Sequence, residues 1–300
     1  MPEGKRIEVA VDGHRLSLVN LDKVMYPATG FTKRDVIDYY ARIAPAMLPH
    51  LAGRALTFKR FPNGVEGHSF FEKRCPQHRP GWVQVAVGPG DRNGAIEYCV
   101  VDTPAALVWA ANMAALEFHA PMALAPDLDT PQALVFDLDP GPPAAIAECA
   151  QVALEIRDVL SAAGMEGWPK TSGSKGLQLY APLNTPASHE HASDVALAIG
   201  QVLEKRSPKR ILTVMTKELR GGKVFVDWSQ NNRHKTTIAV YSLRARPEPT
   251  VSTPVTWEEV SAAAEGTIPL QFDAAAVLRR VEEQGDLFAP VLAVEQHLPG

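Results

Sequence analysis

The sequence has few cysteines, a small net charge and no long apolar run. No apolar run is long enough to span a bilayer, and the polar N-terminal residues do not resemble a signal peptide. The three cysteines, Cys75, Cys99 and Cys149, are odd in number and widely spaced, which argues against a disulfide framework. Cys75 and His78 have the spacing of metal ligands, but no second pair completes a zinc site. We therefore expect a cytoplasmic protein with no membrane partner.

The net charge is small, but the charged residues are distributed unevenly along the sequence. The net charge of −4 over 300 residues argues weakly against a nucleic-acid partner. Residues 1–80, however, carry 13 basic and 8 acidic side chains, and residues 205–246 carry 11 basic and 2 acidic ones. Two basic blocks that flank an acidic middle indicate a polyanion-binding surface around a metal-binding centre, and the alternative is two solvated basic faces.

An apolar segment in the acidic middle ends in two carboxylates. Residues 133–138 read as a strand, so Asp137 and Asp139 project from the same face about 7 Å apart. Like charges at this spacing repel unless a cation lies between them, and Mg²⁺ typically binds one or two protein carboxylates and substrate phosphates. The pattern predicts a metal site at a strand end, and the alternative is a solvated terminus.

Two later segments extend this prediction. The strand at residues 223–228 ends in a third acid, Asp227, and three carboxylates suit the two divalent cations used in nucleotidyl transfer. The small residues, two hydroxyls and Lys175 of residues 172–176 suit a turn that wraps phosphate oxygens, although the spacing is not that of a Walker loop. By itself this turn is a weak signal, because many hairpins are rich in Ser and Gly.

The first eighty residues combine aromatic and basic side chains. Phe70 and Phe71 are adjacent on a strand and face opposite ways, so one ring could stack on a nucleobase, and the alternative is that both rings belong to the core. Lys23 and Lys33 flank a turn, and Thr32 with Asp35 predicts a capped helix start beside it. These lysines are either ordinary surface residues or a phosphate contact near that helix.

Three motifs occur in an informative order. Residues 135–140 (VFDLDP), 171–176 (TSGSKG) and 223–231 (KVFVDWSQN) resemble the three motifs of the archaeo-eukaryotic primase superfamily. The similarity is greatest to the polymerase domain of bacterial DNA ligase D, the end-joining polymerase, and it runs from about residue 16 to residue 287. Supporting matches are residues 20–30, 70–73 and 241–244.

The resemblance implies a role for each matching residue. Asp137, Asp139 and Asp227 match the family's catalytic metal triad, served by two Mn²⁺ or Mg²⁺ ions. The residues that match groups holding the triphosphate of an incoming NTP or dNTP are His119, Ser172, Lys175, Gln230 and Arg244. Those that match DNA and 5′-phosphate contacts are Asn20, Lys23, Lys33, Phe70, Phe71 and Arg220. The hairpin tip at residues 88–94 falls where the family bridges DNA ends, but its sequence here is unusual.

The implied activity is template-dependent nucleotide addition to primer 3′ ends at gaps or breaks that carry a 5′-phosphate, with ribonucleotides accepted. The family implies a DNA substrate in the nucleoid, a Ku-type protein and a DNA ligase as partners. The similarity ends with the polymerase domain. The sequence therefore leaves open an excised ligase-D domain of non-homologous end joining or a stand-alone enzyme that fills gaps in base-excision repair.

Two other classes of protein are alternatives. A haloacid-dehalogenase-type phosphatase also places Asp-x-Asp after an apolar strand, but it requires Thr or Val where Pro140 stands and an early motif. A non-catalytic DNA-binding module explains the basic blocks but not three acids at strand ends.

The fold class expected is α+β, with a primase-type mixed or antiparallel sheet flanked by helices. We predict one catalytic domain over residues 1–300. Residues 15–105 form a β-rich subregion for DNA and 5′-phosphate contacts, residues 106–246 the metal and nucleotide centre, and residues 247–300 a helical appendage.

Overall fold

The computed structural model describes residues 6–90 and 94–299, over which helices and strands alternate along the chain. The strands are Arg6–Val11 (β1), His14–Val19 (β2), Val24–Tyr26 (β3), Phe31–Thr32 (β4), Thr57–Arg60 (β5), Phe70–Glu72 (β6), Val85–Pro89 (β7), Ala95–Cys99 (β8), Ala115–Ala120 (β9), Ala133–Pro140 (β10), Trp168–Thr171 (β11), Leu177–Pro182 (β12), Ile211–Leu212 (β13), Val224–Asp227 (β14) and Thr237–Ile238 (β15). The α-helices are Lys33–Leu51 (α1), Pro104–Asn112 (α2), Ile146–Ala162 (α3), His189–Arg206 (α4), Trp257–Ala264 (α5) and Ala274–Gln284 (α6). Short 3₁₀ helices span Lys217–Leu219, Trp228–Asn231 and Ala289–Leu292. The predicted α+β class is confirmed.

The chain divides into two units. The first comprises residues 1–120, 238–251 and 272–285, and the second comprises residues 121–237, 252–271 and 286–300. Residues 247–300, expected as a helical appendage, are thus shared between the two units. The single catalytic domain with three consecutive subregions stays a prediction.

A five-stranded sheet organises the second unit. Its strand order is β11-β12-β10-β14-β13, with β13 and β14 parallel and the other pairs antiparallel. The central strand β10 is apolar and buried from Ala133 to Phe136, and helices α3 and α4 both contact it. The sheet is therefore mixed, as predicted, and it places the Asp-x-Asp motif at the end of a strand with neighbours on both sides.

The first unit is built from smaller antiparallel pieces. Strand β5 pairs with β6 on one side and with β9 on the other, and three further pairs are β1–β2, β3–β4 and β7–β8. The aromatic side chains of Tyr40, Phe58 and Phe118 are buried together, with ring centroids 5.0–5.3 Å apart. This core fixes strand β9, which carries His119.

Local sequence signals set most helix boundaries. Thr32 and Asp35 form the predicted capping box at the start of α1, where each side chain accepts a hydrogen bond from the other residue's backbone N–H. Thr103 caps the start of helix α2, which ends at Asn112. Ala114 has φ of +61°, a left-handed conformation that reverses the chain into β9.

The expectation about cysteine is wrong. Cys75 and Cys99 form a disulfide with their Cα atoms 4.8 Å apart, and Cys149 is free and buried. Cys75 N also donates to Glu97 O, so the loop after β6 lies along β8, and this pairing brings the two sulfurs together. Their separation of 24 residues in sequence carries no hint of this contact.

Helices that meet the length and hydropathy needed to cross a bilayer are absent from the described part of the chain.

Candidate active site

The three predicted metal-binding carboxylates lie on two neighbouring strands of the second unit. Asp137 and Asp139 are on β10, and Asp227 is the last residue of β14. Asp137 is directly opposite Asp227, and Asp139 is opposite Phe225. Opposite residues of an antiparallel pair share a face, as do residues two apart on one strand. The register therefore puts all three carboxylates on one face of the sheet.

Protein donors engage these carboxylates. Gln178 Nε2 donates to Asp137 Oδ1 at 3.1 Å, Ser229 Oγ donates to Asp227 Oδ1 at 2.6 Å, and Gln230 Nε2 donates to Asp227 Oδ2 at 2.7 Å. Over residues 6–90 and 94–299, no three His, Cys, Asp or Glu side chains form a group arranged to hold a metal ion. These hydrogen bonds leave other lone pairs of Asp137 and Asp227 that could bind a cation, because an ionised carboxylate has about four acceptor sites.

The donor set nevertheless fits a divalent cation. Burial raises the pKa of Asp137 above its ordinary value, and the negative charges of Asp139 and Asp227 raise it further, against the hydrogen bond from Gln178. A cation at this position relieves that repulsion, and carboxylate oxygens are the ligands that Mg²⁺ and Mn²⁺ prefer. Asp137, Asp139 and Asp227 are the residues that would hold it.

The Ser/Gly-rich segment forms a turn against the same strand. Ser172 Oγ accepts hydrogen bonds from Gly176 N at 3.1 Å and Ser174 N at 3.3 Å, which closes the turn, and Lys175 is exposed on it. A Cβ atom at Gly176 would lie 2.1 Å from the carbonyl oxygen of Leu138. The turn therefore lies against the backbone between Asp137 and Asp139.

Arg220 lies beside the end of β10. Its guanidinium is 3.8 Å from the centroid of the Phe225 ring. A Cβ atom at Gly141 would overlap the Arg220 carbonyl oxygen at 1.9 Å, so only glycine permits this approach of the loop to the strand end.

In the first unit, Glu117 joins two of the predicted nucleotide-binding residues. Its carboxylate accepts hydrogen bonds from His119 Nε2 at 3.0 Å and Arg244 Nε at 3.2 Å, and its side chain is 4% exposed. Burial alone would raise the pKa of Glu117, but His119 and Arg244 together lower it to about 2. Burial lowers the pKa of His119, against the opposing effect of Glu117. The imidazole and the guanidinium are thus held by one ionised acid.

The two phenylalanines face different surroundings, as predicted. Phe71 is 58% exposed, with Lys59 Nζ 5.4 Å from its ring centroid and the His119 ring 5.4 Å away. Phe70 is half-buried under the Arg60 guanidinium. Phe71 also lines a cavity of about 490 Å³, whose other lining residues are Lys73, Arg74, Gly90, Gly94, Ala95 and Ile96. An exposed ring among cations suits a nucleobase. Of the predicted hairpin tip, residues 91–93 lie outside the described part of the chain.

Backbone hydrogen bonds link the predicted 5′-phosphate residues within the first unit. Lys33 N donates to Lys23 O at 2.8 Å, and Lys23 N donates to Asn20 O at 3.1 Å. The Lys33 side chain is buried and donates to Val19 O, whereas Lys23 Nζ donates to Pro62 O and Asn63 Oδ1. Burial, together with the positive charges of Lys23 and Arg60, lowers the pKa of Lys33 to about 8.

Sequence reasoning missed four buried polar residues that support these sites: Glu117, Lys170, Gln178 and Asn231. The Asn231 side chain accepts from Val135 N and donates to Val135 O, each at 2.8 Å, which fastens the segment after Asp227 to β10. For Gln178 the available signal was its position as a polar residue within the apolar strand β12, because such a residue needs a partner when it is buried.

Comparison with known proteins gives a consistent result. A family model described as LigD, primase-polymerase domain, matches residues 32–288. The Mycolicibacterium smegmatis multifunctional non-homologous end joining protein LigD is 47% identical over 279 residues, which are 92% of this chain and 36% of that protein. The Bacillus subtilis bifunctional protein LigD is 32% identical over 272 residues, 90% of this chain and 43% of that protein. The chain thus spans less than half the length of these relatives.

A solved structure extends the comparison to the fold. The polymerase domain of Mycobacterium tuberculosis ligase D in complex with DNA superposes with a TM-score of 0.87 at 45% identity, covering 94% of this chain and 99% of that one. Such domains are nucleotidyltransferases that need a divalent metal ion. The resemblance read from the three motifs is confirmed, and the chain belongs to the LigD primase-polymerase domain family.

Proposed function

We propose that the chain adds nucleotides to a primer 3′-hydroxyl opposite a template, with Asp137, Asp139 and Asp227 as ligands of two Mn²⁺ or Mg²⁺ ions. The observation that carries this proposal is the strand register that puts the three acids on one sheet face. The primer 3′-hydroxyl loses its proton to solvent as its oxygen forms a bond to the α-phosphorus, the bond from that phosphorus to the bridging oxygen breaks, and pyrophosphate leaves. Divalent ions, when bound, lower the pKa of the attacking hydroxyl and neutralise phosphate charge.

The incoming NTP or dNTP is held by donors that suit a triphosphate. Ser172 and Lys175 belong to a turn next to the acids, and Gln230 donates to Asp227. His119 and Arg244 both donate to the ionised Glu117, which fixes their orientation, and an imidazole and a guanidinium are donors that suit phosphate oxygens.

The DNA substrate is a gap or a break with a 5′-phosphate. Phe70 and Phe71 provide the surface for the templating base, and Arg220 contacts the primer. Asn20, Lys23 and Lys33 bind the phosphate. The repulsion between the positive charges of Lys23 and Lys33 supports this role, because an anion would relieve it. The names of the relatives support a role in non-homologous end joining. We place this role in the cytoplasm, with a Ku-type protein and a DNA ligase as partners.

The test is primer extension with Mn²⁺ on a short gap, with and without a downstream 5′-phosphate, using ribonucleotides and deoxyribonucleotides. We expect templated addition that the phosphate stimulates. Addition that ignores the phosphate would remove the role of Lys23 and Lys33, and no addition under any condition would leave only a DNA-binding module.

Two variants make the assay specific. Asp137→Ala is expected to abolish synthesis and to preserve DNA binding. Asp129→Ala removes an exposed acid of the same unit that pairs with Arg233, and it should leave synthesis unchanged. Equal activity of the two variants would rule out the proposed metal ligands.

A further inference from the structure

Four polar residues form a row across the sheet of the second unit. Lys170 on β11 is directly opposite Gln178 on β12, Gln178 is opposite Asp137 on β10, and Asp137 is opposite Asp227 on β14. Cross-strand partners share a sheet face. A lysine therefore stands at one end of a continuous line of side chains that leads to the proposed metal ligands.

The hydrogen bonds follow this row. Lys170 Nζ donates to Gln178 Oε1 at 2.5 Å, and Gln178 Nε2 donates to Asp137 Oδ1 at 3.1 Å. An ammonium group has only donors, so Gln178 must turn its carbonyl oxygen toward Lys170 and its NH₂ group toward Asp137. The lysine thereby fixes which end of the amide meets the carboxylate.

The lysine and the glutamine of this row are both buried, so their hydrogen bond is not an ordinary surface contact. Lys170 is 1% exposed and Gln178 is 3% exposed. The ammonium also donates to Ser252 Oγ at 2.8 Å and lies 5.4 Å from the centroid of the Tyr180 ring. A buried charge is retained only where neighbouring groups compensate it, and here those groups orient it toward the amide.

We propose that Lys170 is a positioning residue that acts through Gln178 to orient Asp137 for binding of the divalent metal. This inference rests on the proposed function, in which Asp137 is a metal ligand. Gln178 holds one carboxylate oxygen and so restricts the rotation of the Asp137 side chain. Without Lys170 the amide is free to flip and present its oxygen to the carboxylate, which repels it.

The test is Mn²⁺ binding, measured by calorimetric titration of the whole chain. Lys170→Met and Gln178→Met each keep the length of the side chain and remove its polar group. We expect each variant to weaken Mn²⁺ binding about 10-fold, the lower end of the effect of removing a residue behind a metal ligand. Because Lys170 acts through Gln178, the double variant should bind Mn²⁺ no more weakly than Gln178→Met. Primer extension should recover at saturating Mn²⁺.

The control is Ser252→Ala, which removes a different hydrogen-bond partner of Lys170 and should leave Mn²⁺ affinity unchanged. An equal loss in this control, or losses that multiply in the double variant, would overturn the proposal. So would tighter binding by Lys170→Met, because the ammonium would then act only by repelling the cation. If Lys170→Met does not fold, Gln178→Met still tests the proposal: an unchanged affinity of this variant for Mn²⁺ would overturn it. If Asp137→Ala binds Mn²⁺ as the unmodified chain does, the proposed metal site itself is wrong.

Discussion

At the scale of single residues, Glu117 stabilises the first unit through its charge. It accepts hydrogen bonds from His119, Arg244 and the backbone N–H of Ala245, and its side chain is 4% exposed. Glutamine at this position has a similar shape but would place an NH₂ group or a weaker acceptor against these donors. Leaving charged or buried donors without an acceptor costs free energy of folding, so this acid stabilises the unit.

We predict that Glu117→Gln lowers the free energy of unfolding at pH 7 by about 3 kcal/mol, from the lowering of the Glu117 pKa from 4.5 to about 2. An acid with a lowered pKa contributes this stability above pH 4.5 and loses it as the pH falls toward 2. Urea unfolding at pH 7 and pH 3 should therefore show a smaller difference between variant and unmodified chain at pH 3.

Glu97→Gln is the matched control. Glu97 pairs with Arg79 at 3.0 Å, but its side chain is 50% exposed, so we expect a loss below about 1 kcal/mol. A loss for Glu117→Gln that is the same at both pH values would contradict the charge-based explanation.

The lowered pKa of Lys33 leads to a second prediction at this scale. The free protein loses the Lys33 charge as the pH rises through about 8. If Lys33 binds the 5′-phosphate, affinity for a phosphorylated end should fall between pH 7 and pH 9, and affinity for a 5′-hydroxyl end should stay nearly constant. Fluorescence anisotropy with the two ends at each pH measures this difference. A phosphate preference that Lys33→Met retains would exclude Lys33 from the pocket.

At the scale of elements, the turn between β11 and β12 depends on one glycine. We predict that Gly176→Ala destabilises the second unit by about 1–3 kcal/mol, because its Cβ would lie 2.1 Å from the Leu138 carbonyl oxygen. The displaced turn should also raise the KM for the nucleotide more than it lowers affinity for DNA. Gly81→Ala, where no atom lies within 4 Å of the new Cβ, should leave both the stability and the KM unchanged. Unfolding curves and steady-state kinetics distinguish these outcomes.

Elements whose signals are local were predictable from the sequence. The capping box of Thr32 and Asp35 involves residues three apart, and the spacing of Asp137 and Asp139 fixes their common face. Contacts that depend on register were not predictable. The pairing of Lys170 with Gln178 needs the strand order, and the Cys75–Cys99 disulfide needs the path of the loop after β6. Residues far apart in sequence give no periodic signal of their contact.

At the scale of the whole molecule, the net charge of −4 conceals two basic blocks. Residues 1–80 hold the exposed Phe71 with Lys59, Lys73 and Arg74, and residues 205–246 hold Arg220. Binding to DNA depends on local phosphate contacts and the release of counterions, rather than on the total charge. A protein with an acidic average can therefore bind a polyanion strongly at low salt.

The last prediction concerns the salt dependence of that binding. If Lys73 and Arg74 each contact a phosphate, Lys73→Gln/Arg74→Gln should make the slope of log Kobs against log[salt] about 2 less negative, since each phosphate contact contributes about −0.9. The control is Arg279→Gln/Arg280→Gln, which makes the same change of charge in residues 247–300, outside both basic blocks, and should leave the slope unchanged. Anisotropy titrations of gapped DNA over a range of salt concentrations measure both slopes. If both double variants change the slope equally, total charge governs DNA binding. If neither changes it, the surface around Phe71 does not follow the DNA backbone.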